Sequence, residues 1–270
     1  MSLVAELHDA AFDGDIDELT NILNRGTLKY QHILITSLSE DDTGRTAIHI
    51  AASLGHDNVV RMLLDTLPLE DKYGIVSHKS NDSATPLHSA ASGGHIRTVE
   101  AILQFFSVKQ QNSLISMQTS DGRTALHMAS YKGHLLIVRA LLENFEADDQ
   151  YRLISVKDSG GRTAIHLASF NGHTIIVEDF LGRLHPEQQL RLIKFEDNFK
   201  HTAANLASNR NHTSTAKVLD LYMQQASTET NGLSEKLKQV RGKTVRKRSF
   251  MTSAKIHYSC QAKSHGKHFR

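Results

Sequence analysis

Histidine dominates the chemistry this sequence could carry. Seventeen are present, beside a single cysteine, Cys260. Imidazole can ligate a metal, move a proton or hold a hydrogen bond, and spacing separates these uses. Nine histidines fall into two series: His49, His88, His127 and His166, then His56, His95, His134, His173 and His212. Both series step by 39 residues. A catalytic histidine needs a nucleophile and an orienting acid within reach, and no such triad repeats with either series. A separate run, His257, Cys260, His265 and His268, has donors that suit zinc. No apolar pattern supports a folded site there, so the run is read as part of a basic tail, and no metal or cofactor is assigned. No phosphate-binding loop, paired-carboxylate site or nucleophile motif occurs, and the chain is expected to be non-enzymatic.

Charge is the second chemistry. Residues 225–270 hold eleven Lys/Arg against two Asp/Glu, a net +9, while residues 1–224 carry −7. Lys243, Arg246, Lys247 and Arg248 cluster before Ser249. The cluster resembles a basic nuclear-import signal. Arg246 and Arg248 also make Ser249 a candidate phosphosite, similar to a basophilic kinase substrate. The same charges could hold nucleic acid or anionic lipid through phosphate contacts. No aromatic residues interleave to stack bases, so selective base reading is not expected. With few apolar residues, 225–270 is expected to be mostly disordered. No apolar run approaches the roughly 18 residues of a transmembrane segment. The first residues lack a basic n-region, and one cysteine allows no internal disulfide framework. These features favour a reducing compartment, the cytoplasm, with the nucleus as the alternative.

The elements that position these residues follow from the period. Threonine recurs at 46, 85, 124, 163 and 202, again every 39 residues. The copies read GRTAIHIAASLGHDNVVRMLL from Gly44, ATPLHSAASGGHIRTVEAIL from Ala84, GRTALHMASYKGHLLIVRALL from Gly122, GRTAIHLASFNGHTIIVEDFL from Gly161 and KHTAANLASNRNHTSTAKVLD from Lys200. A fixed period of this length marks an array of one repeated unit. In each copy Asp and Gly suit a turn, Thr opens a first helix as its cap, a small pair such as Ala51-Ala52 allows close helix approach, and Gly55, Gly94, Gly133 and Gly172 end that helix. A second helix carries a buried stripe, Val59-Val60 and Leu63-Leu64 in one copy.

The motifs resemble the ankyrin-repeat family: a Thr-Pro-Leu-His helix start, an Ala-Ala pair, a Gly-His turn and an Ile-Val-x-x-Leu-Leu second helix. The resemblance covers roughly residues 3–224. It implies an all-α solenoid of about six stacked helix-turn-helix units, near 3–43, 44–82, 83–121, 122–160, 161–199 and 200–224. It also implies that the nine repeat histidines hydrogen-bond between neighbouring turns. The first and last units depart from the pattern and read as caps. The common ankyrin repeat has about 33 residues, and the surplus here carries apolar pairs in register: Ile75-Val76, Leu114-Ile115, Leu153-Ile154 and Leu192-Ile193. It is read as a short third helical turn that packs against the array.

In the family's arrangement the variable residues before each Gly-His turn face a concave groove. Phe12, Leu54, Tyr131, Lys132, Phe170, Asn171 and Arg210 are therefore candidate partner-binding residues. A second candidate row lies at the turn tips, Arg45, Arg123 and Arg162, suited to carboxylates. The expected function is a protein-interaction module, adaptor or scaffold, whose groove binds a protein partner. One alternative is a nuclear or nucleic-acid-associated regulator acting through the tail. Another is a fragment or short isoform of a larger ankyrin-bearing signalling, channel or effector protein.

Overall fold

A computed structural model describes residues 2–231, apart from residues 40 and 42. The tail cluster Lys243, Arg246, Lys247, Arg248 and Ser249, and the run from His257 to His268, lie outside the described residues. Residues 2–223 form one compact unit, and the described residues 224–231 fall outside it.

Helices follow one another in triplets. The first unit holds α1 (Leu3–Asp13), α2 (Ile16–Asn24) and α3 (Leu28–Thr36). The second holds α4 (Ala47–Leu54), α5 (Asp57–Thr66) and α6 (Leu69–Ser77). The third holds α7 (Pro86–Gly93), α8 (Ile96–Leu103) and α9 (Val108–Ile115). The fourth holds α10 (Ala125–Lys132), α11 (Leu135–Leu142) and α12 (Ala147–Ile154), and the fifth α13 (Ala164–Phe170), α14 (Thr174–Gly182) and α15 (Pro186–Ile193). The sixth has α16 (Ala203–Asn209) and α17, which spans 213–231 and so runs past the boundary expected at residue 224. First helices stack on first helices, α1 on α4, α4 on α7, α7 on α10, α10 on α13 and α13 on α16. Second helices stack likewise from α2 to α14. The small pairs permit this: Ala51, Ala52, Ala90, Ala91, Ala129 and Ala168 have no exposed surface.

The third element is longer than the single turn expected. It is a helix of eight or nine residues in each of the first five units. The apolar pairs are buried in every copy, and Leu34 and Ile35 extend the row into the first unit. A polar residue that recurs in register explains the length. Gln111 donates through Nε2 to the carbonyls of Leu103 and Phe106, at 2.9 and 3.1 Å. Gln150 does the same to Leu142 and Phe145, at 3.0 and 2.7 Å. Gln189 does so to Leu181 and Leu184, at 2.8 and 3.0 Å. Each amide satisfies carbonyls at and just beyond the second helix's C-terminus, where backbone acceptors lack intrahelical partners. In the second unit Lys72 takes this position, 4.2 Å from the Phe105 ring centroid and 3.8 Å from Asp65.

The histidines stitch the stack in both directions. The Thr46, Thr85, Thr124 and Thr163 N–H groups each donate to Nδ1 of the histidine three residues on, at 3.2 Å. That nitrogen therefore carries no proton, and Nε2 must be the donor. It reaches forward to the next unit's turn in three copies, His49 to Ala84 O at 3.2 Å, His88 to Arg123 O at 3.1 Å and His127 to Arg162 O at 3.1 Å, while His166 bonds Phe195 O of its own unit at 3.0 Å. Burial disfavours the imidazolium and lowers His49, His88 and His127 to about 4. His166 is lowered for the same reason. In the last unit Asn205 replaces the histidine and keeps only the bonds to Thr202, at 3.0 and 2.9 Å.

The other series reaches backward. His56, His95 and His173 hold the Phe12, Ser53 and Tyr131 carbonyls at 3.0, 3.1 and 3.2 Å. Their rings lie on the preceding unit's glycine. A Cβ on Gly133 would stand 2.6 Å from the His173 ring, and Gly133 has φ +84°. Both facts require glycine there. The turns between units stack through backbone bonds as well: Asn81 N to Thr43 O, Ser120 N to Asp82 O, Ser159 N to Asp121 O and Asn198 N to Gly160 O, at 2.9–3.0 Å.

Candidate interaction groove

The first helices end, and the turn tips stand, along one side of the stack. Helix ends bring the variable residues to the surface because each helix must stop at the Gly-His turn. Phe12 is 59% exposed, Leu54 40% and Tyr131 37%. Lys132 and Arg210 are exposed, and Phe170 and Asn171 are half-buried. The tip residues Arg45, Arg123 and Arg162 are also half-buried.

Their surroundings divide the candidates. Arg123 Nε lies 3.1 Å from Asp121 and 3.8 Å from the buried Asp158. Arg162 Nη2 lies 3.1 Å from the same Asp158. Asp158 in turn accepts the Gly160 and Arg162 N–H groups, both at 2.9 Å. These two arginines therefore serve the turn that carries them. Asn171 is similarly engaged, donating through Nδ2 to Tyr131 O at 2.7 Å. Phe170 has the Arg210 guanidinium 4.0 Å from its centroid, and Tyr131 has that of Arg123 at 5.8 Å, so own-chain cations already stack on these rings. Phe12 and Leu54 show no comparable cover, and none of the ion pairs among the described residues involves Arg45 or Lys132.

Arg45 and Lys132 meet at a pocket of about 320 Å³. The third unit creates it. Where its neighbours carry Leu54 or Tyr131, this unit has Ser92 and Gly93, and its tip has Ala84 in place of arginine. Ser89 also lines the pocket, as does Asp82, whose Oδ1 accepts Ser80 Oγ at 2.5 Å. That bond, with burial working against it, keeps Asp82 below the usual carboxylate range. One series escaped sequence reading although it carried a 39-residue signal, the glutamines Gln111, Gln150 and Gln189.

A family model for ankyrin repeats (3 copies) matches residues 7–112 and 105–189. The chain belongs to the ankyrin-repeat family. Ankyrin repeats generally act as protein–protein interaction modules, and the fold is typically non-enzymatic. The matches stop short of the sixth unit, where Asn205 and Asn211 depart from the repeated histidine and glycine. No curated protein is similar to the chain at a significant level. Among the described residues no group of three or more His, Cys, Asp or Glu is placed to hold a metal ion, and no helix is long and apolar enough to cross a membrane.

Proposed function

We propose that this ankyrin-repeat protein is an adaptor that binds a protein partner through the groove of first-helix ends and turn tips. One observation carries the reading. Phe12 and Tyr131 are large side chains left open at register-equivalent places, with Leu54 open one position on, while the Thr, His and Gly-His positions that hold the stack recur from the second to the fifth unit. Aromatic and apolar anchors beside small-residue recesses are what protein interfaces use. A work-place in the cytoplasm fits the single cysteine.

The test couples affinity to stability. Phe12→Ala with Leu54→Ala should lower capture of partners by the full chain, scored against wild type, while the melting temperature stays within a few degrees. Tyr131→Ala with Phe170→Ala should weaken capture too, with a larger drop in melting temperature because Phe170 is half-buried. Capture that is indifferent to all four changes removes the groove from the interface. The +9 charge of residues 225–270 supports a second reading, binding to nucleic acid through the tail. Deleting residues 232–270 should abolish salt-sensitive retention on DNA or RNA if that reading holds.

A further inference from the structure

The groove is electrically lopsided, and the lopsidedness sits on residues that take part in none of the ion pairs among the described residues. At one end α1 presents Asp9 and Asp13, both exposed, flanking the exposed Phe12. The two carboxylates are four residues apart and share one helix face, an arrangement that repels. None of the ion pairs among the described residues relieves it. Two units further on, the recess over Ser92 and Gly93 has Arg45 on one wall and Lys132 on the other. Ser89 and Ser92 line the recess with them. Asp82 also borders the recess, its Oδ1 accepting from Ser80 and from the Ala84 N–H at 3.3 Å and its charge acted on by Arg45, so the recess carries two cations against one carboxylate.

We infer that the groove selects an extended segment of a protein partner that carries a cation at one end and, about five or six residues along, a carboxylate. The inference rests on the groove reading proposed above and adds the charge pattern of what it holds. The spacing follows from the stack. Packed helices stand roughly 8–10 Å apart, so α1 and α7 are separated by about 16–20 Å. An extended chain advances about 3.3 Å per residue. The cation neutralises Asp9 and Asp13, and the carboxylate enters between Arg45 and Lys132 with serine hydroxyls to donate to it. The intervening residues cross Phe12 and Leu54, which favours apolar side chains there. Reversed charges would meet repulsion at both ends, which gives the groove a direction.

The probe is a displayed library of random 12-residue peptides, selected on the full chain. Enriched peptides should show Lys or Arg on one side and Asp or Glu five or six positions away. A selected peptide should bind about tenfold more weakly to Asp9→Lys/Asp13→Lys and to Arg45→Glu/Lys132→Glu. Each loss should be recovered when the facing charge of the peptide is reversed too. Residues 225–270 are common to all these proteins, so attraction to the tail cancels in the comparison. If charge reversal lowers the melting temperature, Asp13→Asn and Lys132→Gln replace it, with a smaller loss expected. Peptides that need Phe12 and Leu54 yet ignore both charge changes overturn this inference and leave the groove standing. Peptides indifferent to every groove substitution overturn both. A library yielding no enriched peptide overturns the extended-segment inference alone, because a folded partner surface could still seat on the groove.

Discussion

At the scale of single residues, the repeat histidines convert burial into pH dependence. A histidine held near 4 in the fold and near 6.5 in the unfolded chain binds its proton more readily when unfolded. The stability it confers is complete above about pH 6.5. It is lost as the pH falls, and the slope ends near pH 4, where the folded imidazole itself protonates. Each such site is worth about 3 kcal/mol across that window. Urea midpoints at pH 7.5 and 5 should differ accordingly. His127→Asn, which copies Asn205, should keep the Thr124 bonds and lose the one to Arg162 O. We expect about 1–2 kcal/mol lost at pH 7.5 and a shallower slope below 6.5; an unchanged slope would mean that His127 is not the titrating group. Glycine supplies a second contrast at this scale. Gly133→Ala places a methyl against the His173 ring at φ +84° and should cost about 2 kcal/mol or more. Gly74, inside α6, has nothing within 4 Å of its would-be Cβ, so Gly74→Ala should gain about 0.4–1 kcal/mol. Melting the two variants side by side checks the sign of each.

At the scale of elements, the third helix decides how far the sequence could be read. The threonine period, the Gly-His turns and the apolar pairs were legible because each puts one residue type at one structural place in every copy. The pairs predicted burial, and Leu153 and Ile154 are 3% and 0% exposed. Leu153→Ala should cost about 2–4 kcal/mol, measured by chemical denaturation. The full length of the helix was not legible, because its other buried member is polar. Gln150 reads as a solvated residue until its amide is seen on two carbonyls of the preceding helix end. Replacing it by Ala should cost about 1–3 kcal/mol by orphaning those acceptors. Groove chemistry was partly legible for a related reason. Period marks where residues vary, which located Phe12, Leu54 and Tyr131. It does not show which charges are already satisfied, since Asp158 neutralises Arg123 from the neighbouring turn and Arg210 covers Phe170 from 40 positions away.

At the scale of the whole stack, neighbours are joined by near-identical seams. Each sets a backward imidazole on a glycine, and the three inner seams add a forward imidazole bond, while His8 and His166 bond within their own units at the two ends. In such a chain stability is close to a sum over units and their nearest-neighbour contacts. A load applied along the stack then meets a series of similar latches rather than one global lock. Pulled from its ends, the molecule should behave as a stepwise-yielding spring. Each released unit contributes 39 residues of slack, about 130 Å of contour at ~3.3–3.6 Å per residue. Single-molecule stretching should therefore show a sawtooth with that increment. The first peaks should be the weakest, at the two outer seams that lack the forward histidine bond.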